Sequence, residues 1–182
     1  MCFKYEQETE YDYLVGSDGN MSLSFAEIRT RKILDTYGDS LFRVACMYLH
    51  NEADAEEVVQ DTIIQLLRYD PEFDTDSQEK GWLMKTCANL CRNRLRVYKA
   101  HPSEEIDERI AARQDADLSF VWDAVNALPV KYREIIHLFY QEGYSTAEIA
   151  KIVSRREGSV RSDLTRARKQ LKEILKEAYD FE

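Results

Sequence analysis

The sequence predicts an all-α protein in which two small helical domains are joined by a flexible linker. Residues that break helices are scarce, with 6 Gly and 3 Pro among 182 residues, and strong helix formers are common. Apolar side chains recur at helical spacing in two long blocks, and no segment alternates with the period of two that is typical of strands. The predicted divisions are a loosely ordered N-terminal extension at 1–24, a first domain at 25–100, an acidic linker at 101–117 and a second domain at 118–178.

The charge of the chain is unevenly distributed. The formal net charge is −9, which by itself argues against a nucleic-acid partner. Residues 80–100, however, carry six basic and no acidic side chains, and residues 151–172 carry eight basic and two acidic ones. Two basic segments in an otherwise acidic chain predict two separate surfaces that face phosphate groups.

Some classes of protein do not fit the sequence. No apolar run approaches the roughly 18–20 residues that span a bilayer and no signal peptide is visible, which predicts a cytoplasmic protein without direct membrane insertion. Cys87 and Cys91 lie one helical turn apart on an apolar stripe and lack zinc-site spacing, so we expect buried thiols and neither a metal nor a cofactor. The histidines have no catalytic partner at motif spacing, so neither an enzyme nor a small-molecule substrate is expected.

The pattern of residues 51–68 predicts an amphipathic helix with Asn51 as its N-cap. Apolar side chains on one arc are expected to face the core, and they are Ala55, Val59, Ile63, Leu66 and Leu67. The opposite arc comprises Asp54, Glu57, Val58, Asp61 and Gln65. A solvated face would show the same charges, but an exposed Val58 among acidic residues favours a protein contact.

A second helix is predicted from Trp82 to Ala100, after an acidic loop at 68–81. Its apolar face comprises Met84, Cys87, Leu90, Cys91, Leu95 and Tyr98. Its opposite face comprises Lys85, Asn89, Arg92, Arg96 and Lys99. Solvated helices usually mix charge signs, whereas every charge here is positive. This favours a nucleic-acid contact over a merely basic face.

The second block predicts a helix-turn-helix. Ser145 and Glu148 form a capping box at the start of a short helix, a turn follows at 154–157, and a longer helix runs to about Ala178. Val160, Leu164, Ala167 and Leu171 are expected to face inward. The outward face comprises Arg155, Gly158, Ser159, Ser162, Thr165, Arg166 and Lys169. Such cationic and hydroxyl side chains suit a DNA major groove, and the alternative is an αα-hairpin with a solvated face.

These residues resemble a known family. LFRVACMYLHNEADAEEVVQDTIIQLLR (41–68) followed by GWLMKTCANLCRNRLR (81–96) is similar to region 2 of RNA polymerase sigma factors. ALPVKYREIIHLFYQEGYSTAEIAKIV (127–153) and EGSVRSDLTRARKQLKE (157–173) are similar to region 4. Both regions in this order, joined by a short acidic linker, resemble the extracytoplasmic-function (ECF) subfamily of the sigma-70 family.

The resemblance implies a role for each surface. The arc from Asp54 to Gln65 would dock on the β′ clamp helices of core RNA polymerase, which would also be bound through its β subunit. The basic helix at 82–99 would bind the minus-ten promoter element, and the 69–80 loop would hold a base flipped from the nontemplate strand. The helix-turn-helix would read the minus-thirty-five element as duplex DNA. An anti-sigma factor is the negative regulator that such a family implies.

The sequence departs from the family pattern in three respects. Asn93 stands where Asp is frequent, Arg155 and Arg156 occupy the turn, and Asp163 follows Ser162 where Arg is frequent. Asp163 is expected off the centre of the outward face. Two other functions remain open at this point. A stand-alone helix-turn-helix regulator would leave the first block without a role, and a helical adaptor would not depend on Arg92 or Arg96.

Overall fold

The computed structural model describes residues 24–100 and 119–179, and every regular element in these two stretches is helical. This confirms the all-α prediction. The predicted linker, and the predicted extension apart from Ser24, lie outside the described residues. The helices are α1 Phe25–Leu49, α2 Glu52–Tyr69, α3 Asp76–Ala100, α4 Ser119–Asn126, α5 Val130–Ile136 (followed by a π-helical turn His137–Gln141), α6 Thr146–Ile152 and α7 Glu157–Tyr179.

Side-chain caps start several of these helices. The Asn51 side chain accepts a hydrogen bond of 3.0 Å from the Asp54 backbone amide, as predicted. Ser145 and Glu148 form the predicted capping box at the start of α6. A further box, which the sequence analysis missed, starts α1: the Ser24 amide donates to the Glu27 carboxylate (2.6 Å) and the Glu27 amide donates to the Ser24 hydroxyl (3.3 Å).

The start of α3 differs from the prediction. The helix begins at Asp76 rather than Trp82, so the predicted loop at 68–81 shrinks to residues 70–75. Thr75 acts as the cap, because its hydroxyl accepts from the Gln78 amide at 3.3 Å and its carbonyl accepts from the amides of Gln78 and Glu79. Gly81, which the prediction placed at the end of the loop, lies inside the helix.

The division between two compact units falls between Gly38 and Asp39, inside α1. In the unit that begins at Asp39, α2 packs against α3, and α4, α5 and α6 each pack against α7. Helix α3 also packs against α6. The described parts of the two predicted domains, from residue 39 onward, therefore belong to one compact unit.

Several polar and thiol side chains are buried in this unit. Cys46, Cys87 and Cys91 are free and buried, and burial raises the pKa of Cys46 to about 12. His137 is 5% exposed, and burial lowers its pKa to about 4, so the imidazole is neutral in the fold at pH 7. Among the described helices, none is long and apolar enough to cross a membrane.

Candidate nucleic-acid and protein interfaces

The acidic end of α2 is tied to α3. The Tyr98 hydroxyl donates to the Asp54 carboxylate at 2.8 Å, and Arg94 donates to the Asp54 carbonyl at 3.0 Å. Arg94 also forms an ion pair with Glu57. Asp54 and Glu57 were both expected to face a protein partner. Asp54 is half-buried by these contacts, whereas the Glu57 side chain keeps 61% of its surface exposed.

The prediction that Val58 is exposed is wrong. Val58 is 1% exposed, and its carbonyl accepts a 2.7 Å hydrogen bond from the buried Thr62 hydroxyl. The reason is that α3 packs against α2 and covers the side of the helix that the charge pattern assigned to solvent. Val58 therefore contributes to the core and cannot touch a partner protein.

The exposed side of α2 is rotated away from the predicted arc. Ile64 is 56% exposed and Leu67, predicted in the core, is 37% exposed. We define the α2 stripe by the exposed residues at helical spacing, which are Glu57, Gln60, Asp61, Ile64 and Arg68. Gln65 lies half-buried at its edge. An exposed apolar side chain bordered by charged ones is typical of a protein-binding surface.

Four of the five residues predicted for the basic face of α3 are exposed: Lys85, Asn89, Arg96 and Lys99. The fifth, Arg92, forms an ion pair of 2.6 Å with Glu134 of α5 and donates to the Asn89 side chain at 2.8 Å. The sequence suggested that no acidic side chain compensates the positive charges of this face. In the structure one acid does so, because Glu134 reaches the face from 42 residues further along the chain. Arg96 donates to Asn93 at 2.7 Å.

Aromatic side chains flank the start of α3. Tyr69, the last residue of α2, is 67% exposed. Phe73 of the 70–75 loop packs against Trp82 with ring centroids 6.1 Å apart, and Trp82 is half-buried. Trp82 is therefore a packing residue. Tyr69 is the most exposed of these three aromatic side chains and is therefore the one most accessible for stacking on a base.

Helices α6 and α7 form the predicted helix-turn-helix. Ile149 of α6 is buried with Val160 and Leu164 of α7. Ser154 adopts a left-handed φ of 55° in the turn between the helices. The Thr146 hydroxyl donates to the Glu157 carboxylate at 2.9 Å, which joins the first residue of α6 to the first of α7. The packed core and this bond fix the angle at which α7 is presented.

All seven residues predicted for the outward face of the helix-turn-helix are exposed: Arg155, Gly158, Ser159, Ser162, Thr165, Arg166 and Lys169. The Ser162 hydroxyl donates to the Gly158 carbonyl at 2.9 Å, and the Thr165 hydroxyl donates to the Arg161 carbonyl at 3.1 Å. These bonds leave the hydroxyl lone pairs directed outward as acceptors. A Cβ added to Gly158 would meet no atom within 4 Å, so the space in front of it is open.

Asp163 lies inside the fold and not on the outward face. It is 4% exposed, forms an ion pair with Arg155 and lies 3.7 Å from the Arg166 guanidinium. The Asp163 carboxylate therefore holds two arginines of the outward face, Arg155 and Arg166. Burial of the acid is compensated by these cations.

A shallow cavity of about 460 Å³ opens on this face. Its lining includes five predicted residues, Arg155, Gly158, Ser159, Ser162 and Arg166, together with Asp163 and Lys131. Lys131, in the first turn of α5, is exposed and was not predicted. Its closeness to α7 depends on the packing of α5 against that helix. Three cations and two hydroxyls around one concavity suit a DNA phosphate.

The chain is all-helical, contains a helix-turn-helix and exposes basic residues along a second helix. These features define the class of DNA-binding proteins. Two family models match it in the order of the two blocks: residues 33–100 match "Sigma-70 region 2" and residues 121–171 match "Sigma-70, region 4". The ECF RNA polymerase sigma factor SigM of Mycobacterium tuberculosis (strain Erdman) is 32% identical over 175 residues, which cover 88% of this chain and 89% of SigM. The chain belongs to the ECF RNA polymerase sigma factors of the sigma-70 family.

Solved structures agree with this assignment. The sigma factor RpoE of Bartonella quintana, solved with the anti-sigma factor NepR, is 27% identical with a TM-score of 0.64, and the match covers 81% of this chain and 97% of that one. CnrH, solved with the cytosolic domain of CnrY, is 26% identical with a TM-score of 0.62, over 82% of this chain and 88% of that one. The protein is thus a sigma factor, which acts in promoter recognition at transcription initiation. Sigma factors are not enzymes in the catalytic sense.

Proposed function

We propose that this sigma factor uses three separate surfaces in the cytoplasm, without any catalytic activity of its own. The α2 stripe, with Gln65 and Asp54 at its edge, docks on the β′ clamp helices of core polymerase. The basic face of α3 engages the minus-ten element. The outward face of α7, together with Lys131, binds the minus-thirty-five element as duplex DNA. The observation that carries the proposal is the cavity on α7, in which Arg155, Arg166 and Lys131 converge.

The α3 face suits the strand that must be opened. Lys85, Arg96 and Lys99 are exposed along one side of the helix and provide phosphate contacts. The exposed Tyr69 and the 70–75 loop lie at the end where a flipped base would be held. These features support binding of single-stranded DNA more than reading of a duplex.

We propose two further protein contacts, one from a groove on α7 and one from a relative of this chain. An apolar groove of about 410 Å³ lies beside the C-terminal half of α7, between Ile136, Tyr140, Leu171 and Leu175, and we assign it to the β subunit of the polymerase. RpoE was solved with its anti-sigma factor NepR, and we propose that a protein of that kind also inhibits this chain. A stand-alone helix-turn-helix regulator would give the exposed Ile64 no role.

Run-off transcription tests the proposed function directly. Purified full-length protein and core polymerase are combined with a library of promoter fragments. We expect transcripts that require both proteins and that are lost when either promoter element is scrambled. The absence of any promoter-dependent transcript, with the same core polymerase active under a different sigma factor, would contradict the proposal.

The open space at Gly158 gives a second prediction. The variant G158A should unfold at the same or a slightly higher temperature, because alanine favours the helix by about 0.5–1 kcal/mol over glycine and the added methyl group meets no atom of the protein. Transcription from promoters that need the minus-thirty-five element should nevertheless fall several-fold, because the methyl group lies where the DNA backbone approaches. Thermal unfolding and run-off transcription measure the two effects. Unchanged transcription would show that DNA does not approach α7 at this position.

A further inference from the structure

Asn93 and Val97 lie side by side on the surface of α3, at the border of its basic face. They are four residues apart, so their Cβ atoms are neighbours at about 5–6 Å on the helix surface. Asn93 is exposed, and Val97 is 56% exposed. Asn93 lies about 60° around the helix axis from Arg96, which the proposed function assigns to phosphate contacts. A DNA strand held by Arg96 and Lys99 would therefore meet this pair with its bases.

The Arg96 guanidinium fixes the direction in which the Asn93 amide points. Arg96 donates to the Oδ1 atom of Asn93 at 2.7 Å. Because a guanidinium carries donors and no acceptor, the oxygen of the amide must face it and the nitrogen must face away. At this position α3 therefore offers a base the two N–H donors of Nδ2, while the amide oxygen is engaged by Arg96.

Thymine is the base whose edge matches these two side chains. Its O4 carbonyl accepts a hydrogen bond, and its C5-methyl group lies on the neighbouring ring atom. Cytosine has an N4 amino donor in place of O4, and adenine has an N6 amino donor. Guanine offers an O6 acceptor but no methyl group. An N–H donor beside an exposed aliphatic side chain therefore favours thymine over the other three bases.

We propose that Asn93 and Val97 form a thymine-reading pair. The Asn93 Nδ2 group donates to O4 of one nontemplate-strand thymine of the minus-ten element, and Val97 packs against the C5-methyl group of the same base. The inference rests on the proposed function, because it concerns DNA bound along α3. Arg96 is the positioning residue of the pair, and its remaining donors are available to a phosphate. The family frequently has Asp where this chain has Asn93, and a carboxylate at this position would repel the O4 carbonyl. The thymine contact therefore depends on the asparagine of this chain.

Two thymine analogues separate the two contacts. Uracil lacks only the methyl group, whereas 5-methylcytosine keeps the methyl group and replaces the O4 acceptor with an amino donor. The probe is a labelled fragment of the strongest promoter from the run-off library, with its strands mismatched across the minus-ten element so that the nontemplate bases are unpaired. Each nontemplate thymine is replaced in turn. Fluorescence anisotropy gives the affinity of the complex between the full-length chain and core polymerase.

At one thymine, we expect the wild-type complex to bind uracil about three-fold more weakly, as for one methyl group. It should bind 5-methylcytosine about ten-fold more weakly, as for one mismatched base edge. V97S should abolish the difference between thymine and uracil and keep the preference over 5-methylcytosine. N93D should prefer 5-methylcytosine to thymine, because a carboxylate accepts from the amino group. N126D adds an acidic charge at an exposed position of α4, and this matched control should keep both wild-type ratios.

Each ratio compares two probes with the same protein, so a loss of folded protein or of phosphate affinity cancels. Equal affinities for the three bases at every thymine would overturn the thymine-reading pair, as would wild-type ratios in V97S or N93D. A minus-ten element without a nontemplate thymine would overturn it too. Run-off transcription from the unmodified promoter distinguishes these results from a failure of the proposed function. If transcripts form and the ratios equal one, the proposed function stands and the thymine contact is absent, whereas the absence of transcripts would contradict both.

Discussion

The variant V58D should be strongly destabilised, whereas I64D, six residues further along the same helix, should be as stable as the wild type. Val58 is 1% exposed and Ile64 is 56% exposed. An aspartate at position 58 places a charge in the core without a partner, which costs on the order of 3–5 kcal/mol. Because small domains are stabilised by only about 5–15 kcal/mol in total, this loss removes a large part of the free energy of unfolding. Chemical denaturation followed by circular dichroism measures it.

The same pair of variants tests the α2 stripe as a surface for the polymerase. I64D should change the free energy of unfolding by no more than about 0.5 kcal/mol, as expected for an exposed position. Its affinity for core polymerase should fall at least about ten-fold, because a charge replaces the apolar centre of the proposed contact. Binding is measured by titration of labelled sigma factor with core enzyme. Wild-type affinity in I64D would place the polymerase contact elsewhere.

The variant R166A should lose about ten-fold in transcription from promoters that depend on the minus-thirty-five element. The Arg166 side chain is 66% exposed and lies on the lining of the α7 cavity. One well-placed arginine contact to a base contributes about 1–3 kcal/mol of discrimination. Asp163 keeps Arg155 as a partner, so the fold should tolerate the substitution. Run-off transcription at fixed salt concentration measures the effect, since phosphate contacts depend on salt.

K32A is the matched control for R166A. Lys32 is also an exposed cation, but it lies in α1 and on none of the surfaces assigned to DNA or to the polymerase. K32A should therefore transcribe as the wild type does. Equal losses in both variants would indicate a general effect of positive charge and no defined reading surface on α7.

Local signals in the sequence were sufficient to predict the fold class, the helix-turn-helix and the helix caps at Asn51 and Ser145. A cap or a capping box needs only residues within one helical turn, so its geometry is already contained in a short segment. The outward face of α7 was predicted correctly for a similar reason. Apart from the buried Asp163, its inner positions are apolar and its outer ones polar, so the phase of the helix is unambiguous.

The predictions that proved wrong concern side chains whose burial or partner is determined by a distant part of the chain. On α2 the polar arc is centred on Asp54 and Asp61, and Val58 lies at its edge, about 40° from Asp54 in the helical projection. Its burial is due to α3, whose Tyr98 bonds to Asp54 from 44 residues away. Glu134 is similarly the single acid of α5, and its role is defined by Arg92 and Tyr48. Periodicity places a residue on a face but does not identify the neighbour that covers it.

The buried carboxylate of Asp163 has a consequence for the thermodynamics of promoter binding. A free arginine on a protein surface samples many rotamers, and immobilising such a side chain at an interface costs about 0.5–1.5 kcal/mol. In this protein the carboxylate already restricts Arg155 and Arg166 before any DNA arrives. Part of the entropic cost of ordering the recognition surface is therefore met during folding, which leaves more of the contact energy for discrimination among promoters.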